Sequence, residues 1–226
     1  MCSSDLNFTI VGANELLIRM ANTNAVYGAT PTYTLNSASY ILSSGATPVE
    51  LTNAANGSAT VSASGTVSLS DTSGGTTGTL DLVAVNASVS TTGKLNAGGY
   101  QLGASNVALS NTANFSGNIT VVGALQVTPK SLSVTADGLS KVYDGSTNMS
   151  NLTLTPVGLV TATVNGNAAT DAVTVNGVGT YADKNVSTGA NKNYSLSSLV
   201  LAGADAANYV LTNGVTSTAI TTQSGS

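Results

Sequence analysis

The side chains that could do chemistry in this chain are few. Its 226 residues include no histidine, so neither an imidazole base nor a histidine metal ligand is present. Glu15 and Glu50 are the only glutamates, and they belong to no recognisable acid–base pair. The single cysteine, Cys2, cannot form an internal disulfide. The sequence therefore predicts a protein that is not an enzyme, without catalytic, cofactor-binding or metal-binding residues and without a cofactor.

Calcium binding is the one site chemistry that the residue types leave open. Asp137, Asp144, Asp183 and Asp205 fall in predicted loops of the second half of the chain, and carboxylate oxygens are the ligands that Ca²⁺ prefers. Their spacing matches neither an EF-hand loop nor a nonapeptide calcium repeat. Aspartate also forms turns, because its carboxylate accepts backbone N–H groups. Turn formation is therefore the preferred interpretation, with weak calcium binding as the alternative.

The composition indicates an extracellular repeat protein. Charged residues make up 7% of the chain, whereas a typical soluble domain has about 25%. The net charge is −4 and Arg19 is the only arginine, so the chain offers no basic surface to a nucleic acid. No apolar run is long enough to span a bilayer and no secretion signal is visible, so we interpret the chain as an internal segment of a longer protein.

Alternation of apolar and polar residues predicts strands almost throughout. It is clearest at 60–69, 79–85, 132–136, 172–175 and 195–196. Asn-Gly or Gly-Gly pairs at 56–57, 74–75, 165–166, 176–177 and 213–214 predict tight turns. Residues 14–20 lack helix caps and are predicted to be a strand that enters a module. The predicted fold is all-β, with tandem antiparallel immunoglobulin-like β-sandwich modules; β-grasp-like modules and a β-solenoid are the alternatives.

Internal repetition divides the chain into modules. Three landmarks recur in the same order: Val26-Tyr27-Gly28 and Val142-Tyr143-Asp144-Gly145, then Gly99-Tyr100-Gln101-Leu102 and Asn193-Tyr194-Ser195-Leu196, then Asn114-Phe115 and Asn208-Tyr209. The pair Asn7-Phe8 matches the last of these landmarks. We therefore predict that 1–15 is the tail strand of an upstream repeat. Residues 16–128 and 129–222 are predicted to be two β modules, and 223–226 a linker. The second module, 130–222, is expected to fold alone.

The second module resembles the YDG repeat. The resemblance rests on Lys141-Val142-Tyr143-Asp144-Gly145-Ser146-Thr147 and on the segments 179–186 and 199–209. The first module, with Val26-Tyr27-Gly28-Ala29-Thr30-Pro31, resembles the related MBG repeat. Such repeats occur in large bacterial adhesins, notably filamentous-haemagglutinin-like exoproteins exported by two-partner secretion. The resemblance implies an extracellular location on the bacterial outer cell surface, and it implies no catalytic residues.

Two functions fit these expectations. In the first, the chain is a spacer whose partners are the neighbouring repeats, and it projects a binding region from the cell. In the second, the repeats themselves bind a host glycan, a matrix protein or a neighbouring cell. Tyr27, Tyr33 and Tyr40 are the nearest approach to an aromatic cluster, and core packing explains them equally well. The sequence from Asp205 to Tyr209 has the shape of a tyrosine corner, or of a core tyrosine after an ordinary turn.

Overall fold

The computed structural model describes residues 12–44, 46–115, 118–186 and 192–212. These residues pack as two compact units. Unit 1 contains the described residues up to Ala87 together with Gly98–Thr128. Unit 2 contains Ser88–Ala97 and the described residues from Pro129 onward. Unit 2 is thus assembled from two separate stretches of the chain.

Unit 1 consists of strands in two sheets. The strands are β1 (Leu16–Met20), β2 (Thr23–Val26), β3 (Leu35–Tyr40), β4 (Val49–Glu50), β5 (Gly57–Val61), β6 (Thr66–Asp71), β7 (Thr77–Ala84), β8 (Gly98–Leu109), β9 (Ile119–Val122) and β10 (Ala124–Thr128). A four-stranded sheet has the order β4-β3-β1-β9, and a six-stranded sheet has the order β2-β10-β8-β7-β6-β5. The two sheets are consistent with a β-sandwich.

The first two strands of unit 1 are paired in parallel with its last two. β1 lies beside β9 in parallel, with Leu16 opposite Ile119. β2 lies beside β10 in parallel, with Thr23 opposite Leu125. The other ladders of unit 1 among the described residues are antiparallel. In each sheet, one parallel pairing therefore joins the beginning of the unit to its end.

Apolar side chains of both sheets form the core of unit 1. In β6 the alternation is regular, because Val67 and Leu69 are buried while Ser68 between them is exposed. The largest side chains that are fully buried in this unit are Tyr27, Tyr40, Phe115, Leu16, Ile18, Leu51, Leu80 and Leu125. Aromatic residues carry much of this packing, although they are scarce in the chain.

Unit 2 contains three small sheets. Its strands are β11 (Lys130–Asp137), β12 (Thr153–Val157), β13 (Thr161–Val164), β14 (Asn167–Thr170), β15 (Thr174–Tyr181), β16 (Tyr194–Ala202) and β17 (Tyr209–Leu211). The sheets have the orders β12-β11-β17, β13-β14 and β15-β16. β11 and β17 are parallel, so here too the first strand pairs with the last described one. One hydrophobic cluster contains Met149, Tyr181, Tyr194 and Leu196.

The all-β prediction is confirmed. The described residues contain no α-helix, only the 3₁₀ turn Ala206–Asn208, so they lack the helix that a β-grasp module packs against its sheet. Their ladders are mostly antiparallel, unlike the stacked parallel coils of a β-solenoid. The three parallel pairs were not predicted, because alternation shows which face of a strand is buried and not which strand lies beside it. No helix in the described part of the chain is long and apolar enough to cross a membrane.

Local predictions are partly confirmed. The strand at 14–20 is β1, and Asn165-Gly166 is the tight turn between β13 and β14, with φ of 50° and 81°. The alternating run 60–69 is wrong as one strand, because a turn at Gly65 (φ 88°) divides it into β5 and β6. Asn213-Gly214 lies outside the described residues.

The turn predicted at Asn176-Gly177 is also wrong. This pair lies inside β15, where the register with β16 shifts. A Cβ atom on Gly177 would lie 2.2 Å from the Leu199 side chain and 3.0 Å from that of Leu154. Glycine is needed here because the strand approaches two leucines closely, and it forms a β-bulge.

Candidate functional site

A cluster of buried polar side chains in unit 2 is the best-defined polar site in the described structure. It is built around the sequence from Gly203 to Tyr209, which follows β16. Gly203 has φ of 111°, and a Cβ atom there would lie 2.2 Å from the backbone oxygen of Ala172. The N–H of Asp205 donates to that same oxygen at 3.2 Å. Glycine therefore lets the chain turn tightly against Ala172 and brings Asp205 into the interior.

Asp205 is the first of two buried carboxylates. It is 3% exposed. Its Oδ2 accepts the N–H of Ala172 at 2.8 Å and the hydroxyl of Thr91 at 2.5 Å. Its Oδ1 accepts the N–H of Thr91 at 3.1 Å. All of these partners are donors, so the hydrogen-bonding capacity of this buried carboxyl group is met within the unit.

Asp171 is the second buried carboxylate, also 3% exposed. Its Oδ1 accepts the hydroxyl of Thr92 at 2.6 Å. Its Oδ2 accepts the hydroxyl of Tyr209 at 2.6 Å. The Tyr209 oxygen in turn accepts the N–H of Val160 at 2.7 Å. As in a tyrosine corner, the hydroxyl bonds to backbone, but to Val160, 49 positions upstream and not a few. Its own hydrogen bond is donated to a buried carboxylate, which is a stronger acceptor than a peptide carbonyl.

Asn208 completes the cluster and is also 3% exposed. Its side-chain oxygen accepts the N–H of Ala97 at 2.7 Å. Its amide nitrogen donates to Oδ1 of Asn96 at 2.8 Å. Because the side chain both accepts and donates, it fixes the backbone and the side chain of adjacent residues at once.

The group that these side chains hold is the segment Ser88–Ala97, itself a closed hairpin. Val89 and Leu95 form an antiparallel bridge. The N–H of Ser90 donates to the oxygen of Lys94 at 2.8 Å. The hairpin thus satisfies part of its own backbone. Its remaining donors, on Thr91, Thr92 and Ala97, are directed at Asp205, Asp171 and Asn208. Chemically, the cluster holds this hairpin through two adjacent hydroxyl groups and two backbone N–H groups. We call it the hairpin site: Asp171, Asp205, Asn208 and Tyr209.

Of the four aspartates considered for calcium, Asp144 and Asp183 form turns. Asp137 ends β11 and is exposed. Asp144 accepts Lys141 Nζ at 2.7 Å and the N–H of Ser146 at 2.8 Å. The hydrogen bond from Lys141, followed by that from Ser146, lowers the pKa of Asp144 to about 2.

Asp183 is arranged in the same way. It accepts Lys192 Nζ at 2.6 Å and the N–H of Asn185 at 2.8 Å, and these bonds lower its pKa. Asp205 belongs to the hairpin site. Nowhere among the described residues do three or more His, Cys, Asp or Glu side chains come together in a way that could hold a metal ion.

The other residues named from the sequence lie in unit 1. Glu15 accepts the hydroxyl of Thr120 at 2.7 Å, and this bond is the main reason why its pKa is lowered. Glu50 lies in β4 and is half-buried. Tyr27 and Tyr40 are core residues, while Tyr33 is half-buried.

The sequence Lys141 to Ser146 forms a second polar feature, on the surface of unit 2. The ammonium group of Lys141 bonds to Asp144 and to both oxygens of Ser146, and it lies 5.8 Å from the centre of the Tyr181 ring. This turn leaves Val142 83% exposed and Tyr143 60% exposed. The tyrosines of the two matching landmarks therefore differ in burial, because Tyr143 is mostly exposed whereas Tyr27 is 1% exposed.

Sequence reasoning missed Asp171 and the whole of Ser88–Ala97. The bond from Thr92 to Asp171 joins residues 79 positions apart, and the bonds from Thr91 to Asp205 span 114 positions. The only local signal was Ser90-Thr91-Thr92-Gly93, whose composition is that of a turn.

Comparison with known proteins identifies one part of the chain. No curated protein and no solved structure matches the sequence. Residues 128–219 match the family model of the YDG domain. The match contains all four residues of the hairpin site and excludes Ser88–Ala97. This stretch, 128–219, is therefore a YDG-type domain.

Proposed function

We propose that this chain is a non-catalytic spacer segment of a bacterial cell-surface adhesin, built to carry tension between the cell and a binding region. The observation that carries the proposal is the parallel pairing of strands from the start and the end of each unit: β1 with β9 and β2 with β10 in unit 1, and β11 with β17 in unit 2. The YDG-type domain supports the adhesin context by resemblance. The MBG-like character of 16–128 and export by two-partner secretion are part of the same proposal.

Parallel pairing of terminal strands determines how a unit responds to pulling. When the start of the first strand and the end of the last strand are pulled apart, two parallel neighbours must slide along each other. Their hydrogen bonds are then loaded together, whereas an antiparallel hairpin pulled at its open end loses its bonds one at a time. Resistance to force depends on the barrier to unfolding, so loading many bonds together raises it.

Both units show the bonds that this mechanism requires. In unit 1, the N–H of Leu16 donates to the oxygen of Asn118 at 3.1 Å, and the N–H of Tyr27 donates to the oxygen of Thr128 at 2.8 Å. In unit 2, the N–H of Thr212 donates to the oxygen of Leu132 at 2.9 Å, and its hydroxyl donates to the same oxygen. In unit 2 the first strand, β11, thus lies directly beside the last described strand, β17, whereas in unit 1 the pairs β1–β9 and β2–β10 join the first two strands to the last two.

Single-molecule force spectroscopy on the whole chain, held by its two ends, tests the proposal. Thr212→Pro removes both bonds to Leu132 and is expected to lower the unfolding force of unit 2. Thr212→Val keeps the backbone N–H and is the matched control, with a smaller effect expected. The force peak of unit 1 should stay unchanged in both variants. If Thr212→Pro unfolds at the wild-type force, the parallel pair does not carry the load and the tension-bearing role fails.

The cellular part of the proposal needs its own test. Intact bacteria that produce the full-length protein are treated with an impermeant labelling reagent, and the YDG-type segment is recovered by mass spectrometry. A cell-surface spacer is expected to be labelled without lysis. Labelling only after lysis would contradict the surface location.

A direct binding role is the second candidate, and one observation favours it. The exposed Val142 and Tyr143 are presented by a turn that Lys141 and Asp144 hold in place. An exposed tyrosine beside an apolar residue is the composition of a contact point for a glycan or protein surface. Glycan and matrix-protein arrays with the wild-type chain and with Tyr143→Ser separate the two functions, because a pure spacer gives no signal that depends on Tyr143.

A further inference from the structure

We propose that the hairpin site of unit 2 is a binding site for a hydroxyl-bearing β-hairpin, and that it accepts Ser88–Ala97 from a second copy of this chain when that segment is missing from its own. The proposal concerns an interaction between copies and does not depend on the spacer role.

The chemistry of the site makes it selective. Asp205, Asp171 and Asn208 are each 3% exposed, and each takes at least one partner from Ser88–Ala97. A replacement that lacks two adjacent hydroxyl groups can restore neither the bond from the Thr91 hydroxyl to Asp205 nor that from the Thr92 hydroxyl to Asp171. Covering these carboxylates without those bonds is costly.

The segment is suited to bind without its covalent connection. Ten residues contain all four donor groups that the segment directs at the site. The hairpin is already closed by the Val89–Leu95 bridge and by the Ser90–Lys94 bond, so less conformational entropy is lost on binding. Exchange of an identical element between copies is a known route to association, because every contact of the closed form is reproduced.

The occupant follows from the identity of the bonded groups. Thr91 gives Asp205 both its N–H and its hydroxyl, and Thr92 gives Asp171 its hydroxyl. The side-chain oxygen of Asn96 accepts a hydrogen bond from the amide of Asn208, and the side-chain oxygen of Asn208 accepts the N–H of Ala97. A second copy carries this combination at the same spacing by definition.

A vacated site tests the proposal. In the full chain, residues 88–97 are replaced by a Gly/Ser linker of equal length, and a fluorescent peptide of residues 86–99 is titrated while anisotropy is recorded. Saturable binding is expected. A peptide with Thr91→Ala and Thr92→Ala should bind at least about tenfold more weakly, because two bonds to carboxylates are lost. Asp205→Asn in the linker chain should weaken the wild-type peptide similarly.

The outcomes that overturn the proposal are distinct. If unit 2 of the linker chain is folded by circular dichroism and hydrogen exchange, absence of peptide binding overturns it. Equal binding of the wild-type and double-alanine peptides overturns it as well, because the two hydroxyl groups would then contribute nothing to the affinity. If unit 2 of the linker chain is unfolded, saturating wild-type peptide is expected to restore exchange protection of β16 and β17, and failure to do so overturns the proposal.

Two full-length variants test exchange between copies. The linker chain has a vacant site and no segment, whereas an Asp205→Asn chain has an impaired site and an intact segment. Mixed together, they are expected to form a complex of two chains, measured by size-exclusion chromatography with light scattering. The same mixture with Thr91→Ala and Thr92→Ala added to the second chain is the control. An absence of complex in both mixtures contradicts exchange between copies.

Discussion

The Asn-aromatic landmark shared by the two units supplies a hydrogen bond to a buried aspartate in both, but from a different residue of the pair. In unit 1, Asn114 donates to Oδ2 of the buried Asp71 at 2.8 Å, and Phe115 packs against the ring of Tyr40. The Tyr40 hydroxyl donates to Oδ1 of Asp71 at 3.2 Å. Burial and the charge of Asp71 raise the pKa of Tyr40, so this hydroxyl keeps its proton at neutral pH. In unit 2 the aromatic residue bonds a buried aspartate instead: Tyr209 donates to Asp171, whereas Asn208 bonds to Ala97 and Asn96.

The difference lies in where the remaining donors come from. Asp71 takes the N–H groups of Ser73 and Gly74, each at 3.1 Å, from the turn that follows it. Asp171 and Asp205 instead take hydroxyl and amide groups from Ser88–Ala97, which precedes the YDG-type domain in the chain. In unit 1 these further donors come from the adjacent turn, whereas in unit 2 they come from a segment that is distant in the sequence. The Asn-aromatic pair therefore does not show which residues belong to a unit. The segments that supply the donors to the buried aspartates do.

Gly203→Ala should have the largest effect on this comparison. The added methyl group meets the Ala172 backbone at a φ of 111°, so we expect unit 2 to lose about 3 to 4 kcal/mol of unfolding free energy. Gly166→Ala is the matched control, since its φ is also positive but nothing lies within 4 Å of the added atom, and about 1 kcal/mol is expected. Urea unfolding measures both. Equal losses for the two variants would mean that the close approach at Gly203 does not matter.

Asp205→Asn and Asp71→Asn compare a carboxylate that takes donors from a distant segment with one that takes donors from the adjacent turn. Each variant turns an amide group toward existing donors, so a loss of about 2 kcal/mol is expected for each. Hydrogen exchange resolved by peptide should separate them. Asp205→Asn is expected to speed exchange at Thr91 and Ala97 as well as near the mutation, whereas Asp71→Asn should do so only around Ser73 and Gly74. If Asp205→Asn leaves exchange in Ser88–Ala97 unchanged, the segment is held by something else.

Acid should loosen the Lys141–Ser146 turn, with a smaller effect. The pKa of Asp144 is lowered to about 2 in the folded chain, below its value in the unfolded chain. Its contribution is therefore complete above the ordinary aspartate range and is lost as the pH falls toward 2. NMR titration of the Asp144 carboxyl and the Ser146 amide measures it. Asp144→Asn should remove the transition, while a midpoint near 4 in the wild type would show that Lys141 does not stabilise the carboxylate.

Removal of metal ions by chelation is expected to leave the stability of the chain unchanged. The oxygens of Asp144, Asp183 and Asp205 already accept donors from lysine, hydroxyl or amide groups. A calcium site at a hundred times its Kd would add about 2.7 kcal/mol. Melting with EDTA and with added calcium checks this, and a marked drop in Tm on chelation would show that some carboxylates bind metal.

The expectation that 130–222 folds alone stays a prediction, and the structure sharpens it. That fragment retains Asp171, Asp205 and Asn208 but omits the ten residues of Ser88–Ala97 that bond to them. Expression of 130–222 with and without the 86–99 peptide would compare the incomplete and the completed unit directly.

Local patterns in the sequence determined the class of the protein and many of its elements. Alternation predicted strands because a half-buried pleated strand needs it, and Asn165-Gly166 predicted a tight turn because both residues tolerate positive φ. Residue types alone removed histidine chemistry, and the motif from Lys141 to Gly145 pointed to the YDG-type domain. These features depend on a few neighbouring residues, so they can be read without knowing the fold.

Only the tertiary structure decided which segments meet. It made Asn176-Gly177 a bulge, because two leucines from other strands leave no room for a side chain. It paired first strands with last ones, and it placed Thr91 against Asp205 across 114 positions of sequence. Alternation specifies the buried face of a strand but not its neighbour, and a hydroxyl group does not specify in the sequence which carboxylate it will bond. Those choices are made by the packing of the whole unit.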